Sequence, residues 1–551
     1  TGIVNLVIPK SVTLIQGAAF AECASLQTVV FEEGGASAEP LVLEGDPGSS
    51  DSDMGIFYRC SALTSVSFSS QVQCIGSYAF YWNTMLSSVT FGTNENGVSQ
   101  LEWIGRLTFC GDPITELVLP EGLKETTFRS FYTSGDNTAR LQSVVIPSTM
   151  EVIAEDTFYG QINLKSVTFT AGGREELSID EGAFYENTSL KEIAFPENLS
   201  ALDAAAFEGC TGLSIVTVAD GNADFYSLDN VLYHTQTSDG VRSDTIVLYP
   251  SSKTGELVLP EYVTEIPASA FEDASLTGIV LPEGVTEIGS YAFAGSKIQS
   301  IHIPSTVTYI GTYAFSGCSD LTSVTFAENS KLEKFATTTS TRDASRTFQQ
   351  TGLTSIELPA SLKELSGYLF YQCTALKTVT FAEGSKLSRI GKLAFKNCSA
   401  LETVVLDDSI PLETINEEAF GDSGLQSIYI PKTVTLIETK AFNACKSLSD
   451  VTFSADGTDE LEFENGKYSS SKYYGVFSGC SALTSITLPY RLETVSQYAF
   501  SECTSLKEIN FAQNEDGAYG VKTISTGAFR KTAIETFVVP DSVSSMPTVT
   551  T

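Results

Sequence analysis

Histidine is nearly missing from this chain. Two occur in 551 residues, His234 and His302, alongside two tryptophans and four methionines. A Ser–His–Asp or Cys–His site needs a histidine beside a nucleophile and an orienting acid, so catalysis of that kind has almost nothing to build on. H-E-x-x-H, G-x-x-x-x-G-K-[ST] and a G-x-G-x-x-G following a strand are all absent, which removes the usual zinc-protease and nucleotide-binding signals. Carboxylate pairs occur throughout so acidic a chain and single out no glycosidase. The sequence reads as non-enzymatic, with no cofactor.

Positive charge is also scarce: 32 Lys and Arg stand against 67 Asp and Glu, a formal net charge of −35. No basic run occurs, which argues against nucleic acid and against an anionic membrane surface. No stretch approaches the ~20 apolar residues of a membrane span, and no signal-peptide pattern opens the chain. The chain starts at "TGIVNLVIPKSVTLIQ" and stops at "SVSSMPTVTT", inside its own pattern at both ends. It is expected to be a fragment of a longer protein.

What the chain has in abundance is repetition. Nineteen phenylalanines anchor copies of one pattern, V-T-x-I-x-x-x-A-F-x-x-C-x-x-L-x-x-V-x-F or a variant ending I-x-I-P, most often 22 or 23 residues apart. The structural spine is expected to include Phe20, Phe80, Phe207, Phe293, Phe315, Phe370, Phe395, Phe442 and Phe500. The V-x-F end alternates with period two and predicts a short strand, and V-T-x-I predicts a second one. A-F-x-x-C-x-x-L has apolar residues three and four apart and predicts a helical or 3₁₀ turn between them. One coil cannot bury its own apolar face, whereas stacked coils can. About twenty coils at ~4.8 Å each make an arc of roughly 90–100 Å. Nine of eleven cysteines fall three residues after an anchor, a position that elsewhere holds Asn, Ser or Ala. That mixture asks for a small side chain able to bond a turn's backbone, and it predicts buried, unreactive thiols rather than a metal site.

The units "IPSTVTYIGTYAFSGCSDLTSVTF" and "LPEGVTEIGSYAFAGSKIQSIHIP" resemble the BspA-like leucine-rich repeat, also called the Treponema pallidum type, over essentially the whole chain. The resemblance implies a right-handed leucine-rich-repeat solenoid, continuous over residues 1–551. It also implies a surface or secreted protein of a host-associated microbe, adhesin-like, acting on a protein or glycan and carrying no catalytic residues. Residues 219–255 look like the β-hairpin insertion of such proteins. Two β-rich runs there, Asn230–His234 and Thr245–Tyr249, flank a polar loop, so the hairpin expectation also stands on the residues. A monomer is expected.

Function should sit where copies differ. The outward strand position is mostly Val or Thr, which β-propensity alone explains. It is broken by His302, Glu357 and Tyr429, so the candidate binding face is His302, Thr325, Glu357, Thr380 and Tyr429. Inserts mostly follow strands ending in Phe and are expected on one acidic edge. The insert Ser454–Gly475 carries the candidate edge-loop residues Tyr468, Tyr473 and Tyr474. Calcium has carboxylates available at Asp220 ("DGNAD") and Asp46 ("DPGSSDSDMG"), but neither fits EF-hand spacing. The competing expectation is a rigid stalk that displays another domain.

Overall fold

The computed structural model describes residues 2–34, 39–44, 55–133, 140–338, 344–469 and 472–546. They fall into two compact units, Thr1–Lys253 and Thr254–Thr551. Each unit is a β-solenoid whose coils contribute one strand to each of two sets of parallel sheets.

In the first unit, strands Asn5–Ile8, Thr28–Phe31, Ser65–Phe68 and Ser88–Phe91 form one parallel sheet. The V-T-x-I segments form an eight-stranded parallel sheet running from Leu14–Gln16 to Leu199–Leu202. In the second unit, Ser300–Ile303 pairs in register with Ser323–Phe326, setting Ile301 beside Val324 and His302 beside Thr325. Buried and exposed residues alternate along these strands, as the period-two pattern requires.

The A-F-x-x-C segment departs from its sequence-based expectation. No helix occurs among the described residues. The residues two before and two after the anchor take left-handed φ: Tyr313 at 59° and Gly317 at 75° around Phe315, and Leu393 at 58° and Asn397 at 62° around Phe395. Left-handed residues four apart prevent a helix from propagating. Alternate N–H groups bond three residues back, Ser316 to Tyr313 O and Cys318 to Phe315 O. Those between them donate to the next coil, Tyr313 to Ser345 O, Phe315 to Thr347 O and Gly317 to Gln349 O, at 2.8–2.9 Å. The turn is therefore a third ladder joining coils. The three-and-four spacing reflects successive tight turns.

The ladder stacks the anchor rings. In the first unit Phe20 stacks on Phe57 at 5.3 Å, Phe80 on Phe109 at 5.3 Å and Phe184 on Phe207 at 5.0 Å. In the second, Phe315 lies between Phe293 and Phe348, at 5.2 and 5.4 Å. Phe370, Phe395, Phe420, Phe442, Phe477 and Phe500 continue the column at 4.9–5.4 Å. Each fully buried ring contributes about 1.5–3 kcal/mol of apolar burial.

Two sequence positions follow from this close approach of coils. A Cβ on Gly311, in the repeated I-G-x-x-A-F, would meet Ser290 N at 2.3 Å and Gly289 C at 2.5 Å. The glycine is there because the preceding coil's backbone passes through that space. The eleven cysteines are all buried, and none is in a disulfide. Eight donate their thiol to the carbonyl of the preceding coil's anchor, as Cys318 Sγ does to Phe293 O at 2.9 Å and Cys373 Sγ to Phe348 O at 2.9 Å. Burial pushes the Cys318 and Cys373 thiols up to about 11, so neither is a thiolate near neutral pH.

The segment expected as a hairpin is a three-stranded antiparallel sheet, Phe225–Leu228, Val231–Ser238 and Val241–Leu248. The polar stretch expected as a loop is itself paired. Asp244, with its side chain fully buried, organises it: Tyr226 Oη donates to it at 2.6 Å, Thr235 Oγ1 at 3.0 Å, and Arg242 through Nε and Nη2 at 2.9 Å each.

Candidate functional site

The candidate face residues lie on the outward side of the second unit's first set of strands. His302 is exposed, and its Nδ1 lies 2.9 Å from Thr325 Oγ1. Glu357 pairs in register with Thr380 on the neighbouring strand, and Tyr429 with Thr452. These are separate neighbour pairs that do not converge on one point. Tyr429 is tied down. Its hydroxyl donates to Asp408 Oδ2 at 2.8 Å, and that carboxylate also accepts Ser454 Oγ at 2.9 Å and Lys432 N–H at 2.9 Å. Partial burial works against the Asp408 charge, but these three donors outweigh it and hold its pKa below the ordinary value.

The same network fixes the start of the insert after Phe453, and there the surface does become concave. Two inserts, after Phe453 and after Phe511, wall an open groove of about 1120 Å³. Its floor is the strand face itself, with Asp450 and Thr452 from one strand and Ser485 and Thr487 from the next. Exposed Tyr490 and Tyr519 stand in its lining. Five carboxylates line it, Asp450, Asp456, Glu460, Glu493 and Glu515, against two cations, Arg491 and Lys522. Lys522 is already paired with Glu493.

Local chemistry explains the shape of these walls. Arg491 is buried beneath the first insert and donates to Pro431 O at 3.1 Å and to Val434 O. Gly457 lets the insert lie on that guanidinium, since a Cβ there would sit 2.6 Å from Arg491 Nε. In the second insert Asn514 Oδ1 accepts the N–H groups of Asp516 and Ala518 at 3.1 and 2.8 Å. Asn94 holds "NENGV" the same way in the first unit. The sequence reading placed both inserts at the same phase of the repeat, and that signal could have located the groove. It missed the lining residues because they come from separate coils.

The insert Ser454–Gly475 is not one excursion on one edge. Within it Glu462–Phe463 is a regular strand of the second sheet, pairing with Leu436–Ile437. Leu461 and Phe463 are buried in the core, and that burial draws the chain through a coil before it emerges again. The tyrosines follow on a two-stranded hairpin, Lys467–Ser469 and Lys472–Tyr474. Cations lie against two of them, where an acidic rim was expected. Arg530 lies over the Tyr473 ring at 4.3 Å and Lys440 Nζ over Tyr474 at 4.7 Å, while the Tyr468 ring packs on Tyr473 at 4.7 Å, tilted by 39°.

Among the described residues no group of three or more His, Cys, Asp or Glu is arranged to hold a metal. In "DGNAD" the middle Asn222 caps its own loop, accepting from Asp224 N–H and Phe225 N–H at 2.9 and 2.7 Å. The carboxylates from Asp46 lie outside the described residues. His234 packs on Phe225 at 4.9 Å, in the first unit. Among the described residues no helix is long and apolar enough to cross a membrane.

The family match agrees with this repeat architecture. The sequence matches the BspA type Leucine rich repeat region in six copies, over residues 1–42, 52–172, 135–230, 247–342, 341–464 and 413–550. No curated protein matches it. Among solved structures, a leucine rich cell surface protein from Faecalibacterium prausnitzii is 20% identical, with 77% of this chain and 90% of that one covered and a TM-score of 0.39. A leucine-rich repeat protein from Bacteroides ovatus is also 20% identical, covering 86% and 92%, with a TM-score of 0.36. The pneumococcal vaccine antigen PcpA is 16% identical, covering 97% and 90%, with a TM-score of 0.28. With its repeat matched in six copies along nearly its whole length, this chain belongs to the BspA type leucine-rich repeat family.

Proposed function

We propose that this chain is a non-enzymatic recognition protein, displayed outside the cell and working as a monomer. In this reading the groove between the two inserts receives a segment of a macromolecular partner, protein or glycan. The observation that supports it is the groove's construction: a strand-face floor, two loop walls braced by Arg491, Asp408 and Asn514, and exposed Tyr490 and Tyr519. Braced loops around exposed tyrosines suit recognition, because little ordering entropy is lost on binding. The lining holds no histidine or cysteine to act as base or nucleophile. Its acidity favours a neutral or cationic segment.

The test is a binding screen against extracellular-matrix proteins and glycans at physiological salt, with and without calcium, using the whole chain and a Tyr490→Ala/Tyr519→Ala variant. A saturable interaction weakened tenfold or more by the variant is expected, in line with aromatic hot spots worth about 1–2 kcal/mol each. No interaction anywhere in the panel would favour a display stalk and overturn the reading.

A further inference from the structure

A second groove lies over the turn ladder of the same unit, and its charge is opposite to that of the chain. It has a volume of about 590 Å³ and is lined by five lysines, Lys396, Lys440, Lys446, Lys472 and Lys531, against three carboxylates, Glu418, Asp422 and Glu502. In a protein of net charge −35 this reversal calls for a reason. The lysines come from separate coils and from the hairpin, so no basic run marks them in the sequence.

The carboxylates are already engaged. Glu418 accepts from Lys396 and, at 3.1 Å, from Lys440, and Glu502 accepts from Lys531 at 2.8 Å. Lys446 and Lys472 are exposed, and among the described residues neither forms an ion pair. The groove therefore offers two ammonium groups outside any direct ion pair, although Lys472 does feel the Glu502 carboxylate, and three more that share their carboxylate partners. Lys440 and Arg530 are further held in place against the rings of Tyr474 and Tyr473.

We propose that this groove binds an anionic polysaccharide, one whose charge is carried by sulfate or carboxylate groups. This goes beyond the recognition reading above and uses a different site. Three features select the ligand class. The groove is elongated, drawing residues from the coils of Phe395, Phe420, Phe442, Phe477, Phe500 and Phe529, which suits a chain. Its charge is sparse. Duplex DNA presents one charge every ~1.7 Å, and a strongly acidic protein repels so dense a polyanion, whereas a glycan charged once per sugar or two matches a few lysines. Finally, the backbone beneath is closed to strand addition. Ala444 N–H is spent on Ser478 O, Gly479 N–H on Ser501 O and Glu502 N–H on Arg530 O. A peptide added as a further strand would need free main-chain donors. What the groove offers instead is ammonium groups and the polar side chains of Asn443, Ser481 and Thr504, which fit sugar hydroxyls and acid groups.

The experiment is calorimetric titration of the whole chain with a chondroitin sulfate octasaccharide (sulfate and carboxylate alternating along the chain) and a hyaluronan oligosaccharide (carboxylate only). A twelve-residue oligo(dT) and a poly-glutamate peptide of similar length serve as competitors of other chemistry. The Lys446→Glu/Lys472→Glu variant changes only exposed side chains, and a melting curve checks its fold. Saturable binding of either glycan is expected, weakening as salt rises and falling about tenfold or more in the variant. Hyaluronan binding would show that carboxylate suffices, and binding of the sulfated glycan alone would show that sulfate is required. The proposal fails if neither glycan binds, if the variant binds as well as the parent, or if oligo(dT) or poly-glutamate binds more tightly. Lys165→Glu, an exposed position outside both grooves, should leave glycan binding intact. A matrix-screen hit sensitive to Tyr490 and Tyr519, with no glycan binding here, would sink this inference and leave the first reading standing.

Discussion

Phe315→Ala tests how the stack holds together. The ring is fully buried, with Phe293 and Phe348 on its two faces at 5.2 and 5.4 Å and interplanar angles of 6° and 8°. Removing it empties a slot that neither neighbour can enter. Phe293 N–H is bonded to Ala314 O at 2.8 Å and Phe315 N–H to Thr347 O at 2.9 Å, so the backbone spacing is set on both sides. The cost should therefore reach the upper part of the about 3–5 kcal/mol typical of Phe-to-Ala changes. In a repeat stack, that cost falls on the two adjoining interfaces. The assay is hydrogen exchange followed peptide by peptide. Protection should fall about a hundredfold or more in the coils of Phe293, Phe315 and Phe348, and little in those of Phe442 and Phe500. Phe315→Leu should recover most of the loss. Unchanged exchange in the alanine variant would refute the ring column as a source of stability. A uniform loss across residues 254–546 would refute the nearest-neighbour reasoning.

Other perturbations test the remaining devices. Gly311→Ala forces a Cβ into the Gly289–Ser290 backbone and should cost about 1–3 kcal/mol or more; a urea melt that does not shift would show that the coils can separate freely there. Cys373→Ala removes the thiol that bonds Phe348 O and should cost about 1–2 kcal/mol, with Cys373→Ser closer to the parent; equal melting of all three would dismiss the thiol bond. Asp112 occupies the cysteine position of its coil, and burial raises its pKa well above the ordinary 3.8. Its contribution to stability is thus fully present below pH 3.8, falls as pH rises towards the folded-state pKa, and stays low above it. Asp112→Asn should therefore be more stable than the parent at pH 7, with the difference shrinking towards pH 4. A pH-independent difference would show that Asp112 does not titrate as its burial implies.

Much of this was legible in the sequence because it is local and repeated. Period-two alternation in V-T-F fixes which residues face inward wherever one face is buried, and Ile301 and Val324 lie inside accordingly, with Phe326 half-buried at the strand's end. The cysteine position announced a small side chain that bonds a turn. That the bonded carbonyl belongs to the preceding coil's Phe could not be read, because the partner lies 25 or more residues away. The turn itself was misread, since left-handed φ at Tyr313 and Leu393 is imposed by the neighbouring coil against residue preference. The insert Ser454–Gly475 looked like one loop because the strand Glu462–Phe463 is only two residues long.

Sequence alone thus determined the coil, its spacing and its buried face, since each coil's pattern is written within about 23 residues. Tertiary structure alone decided where charge collects. Lys396, Lys440, Lys446, Lys472 and Lys531 are scattered through an acidic chain, as are Asp450, Glu493 and Glu515. Stacking at about 5 Å per coil brings each set together, so one unit carries an acidic groove on its strand face and a basic one over its turns.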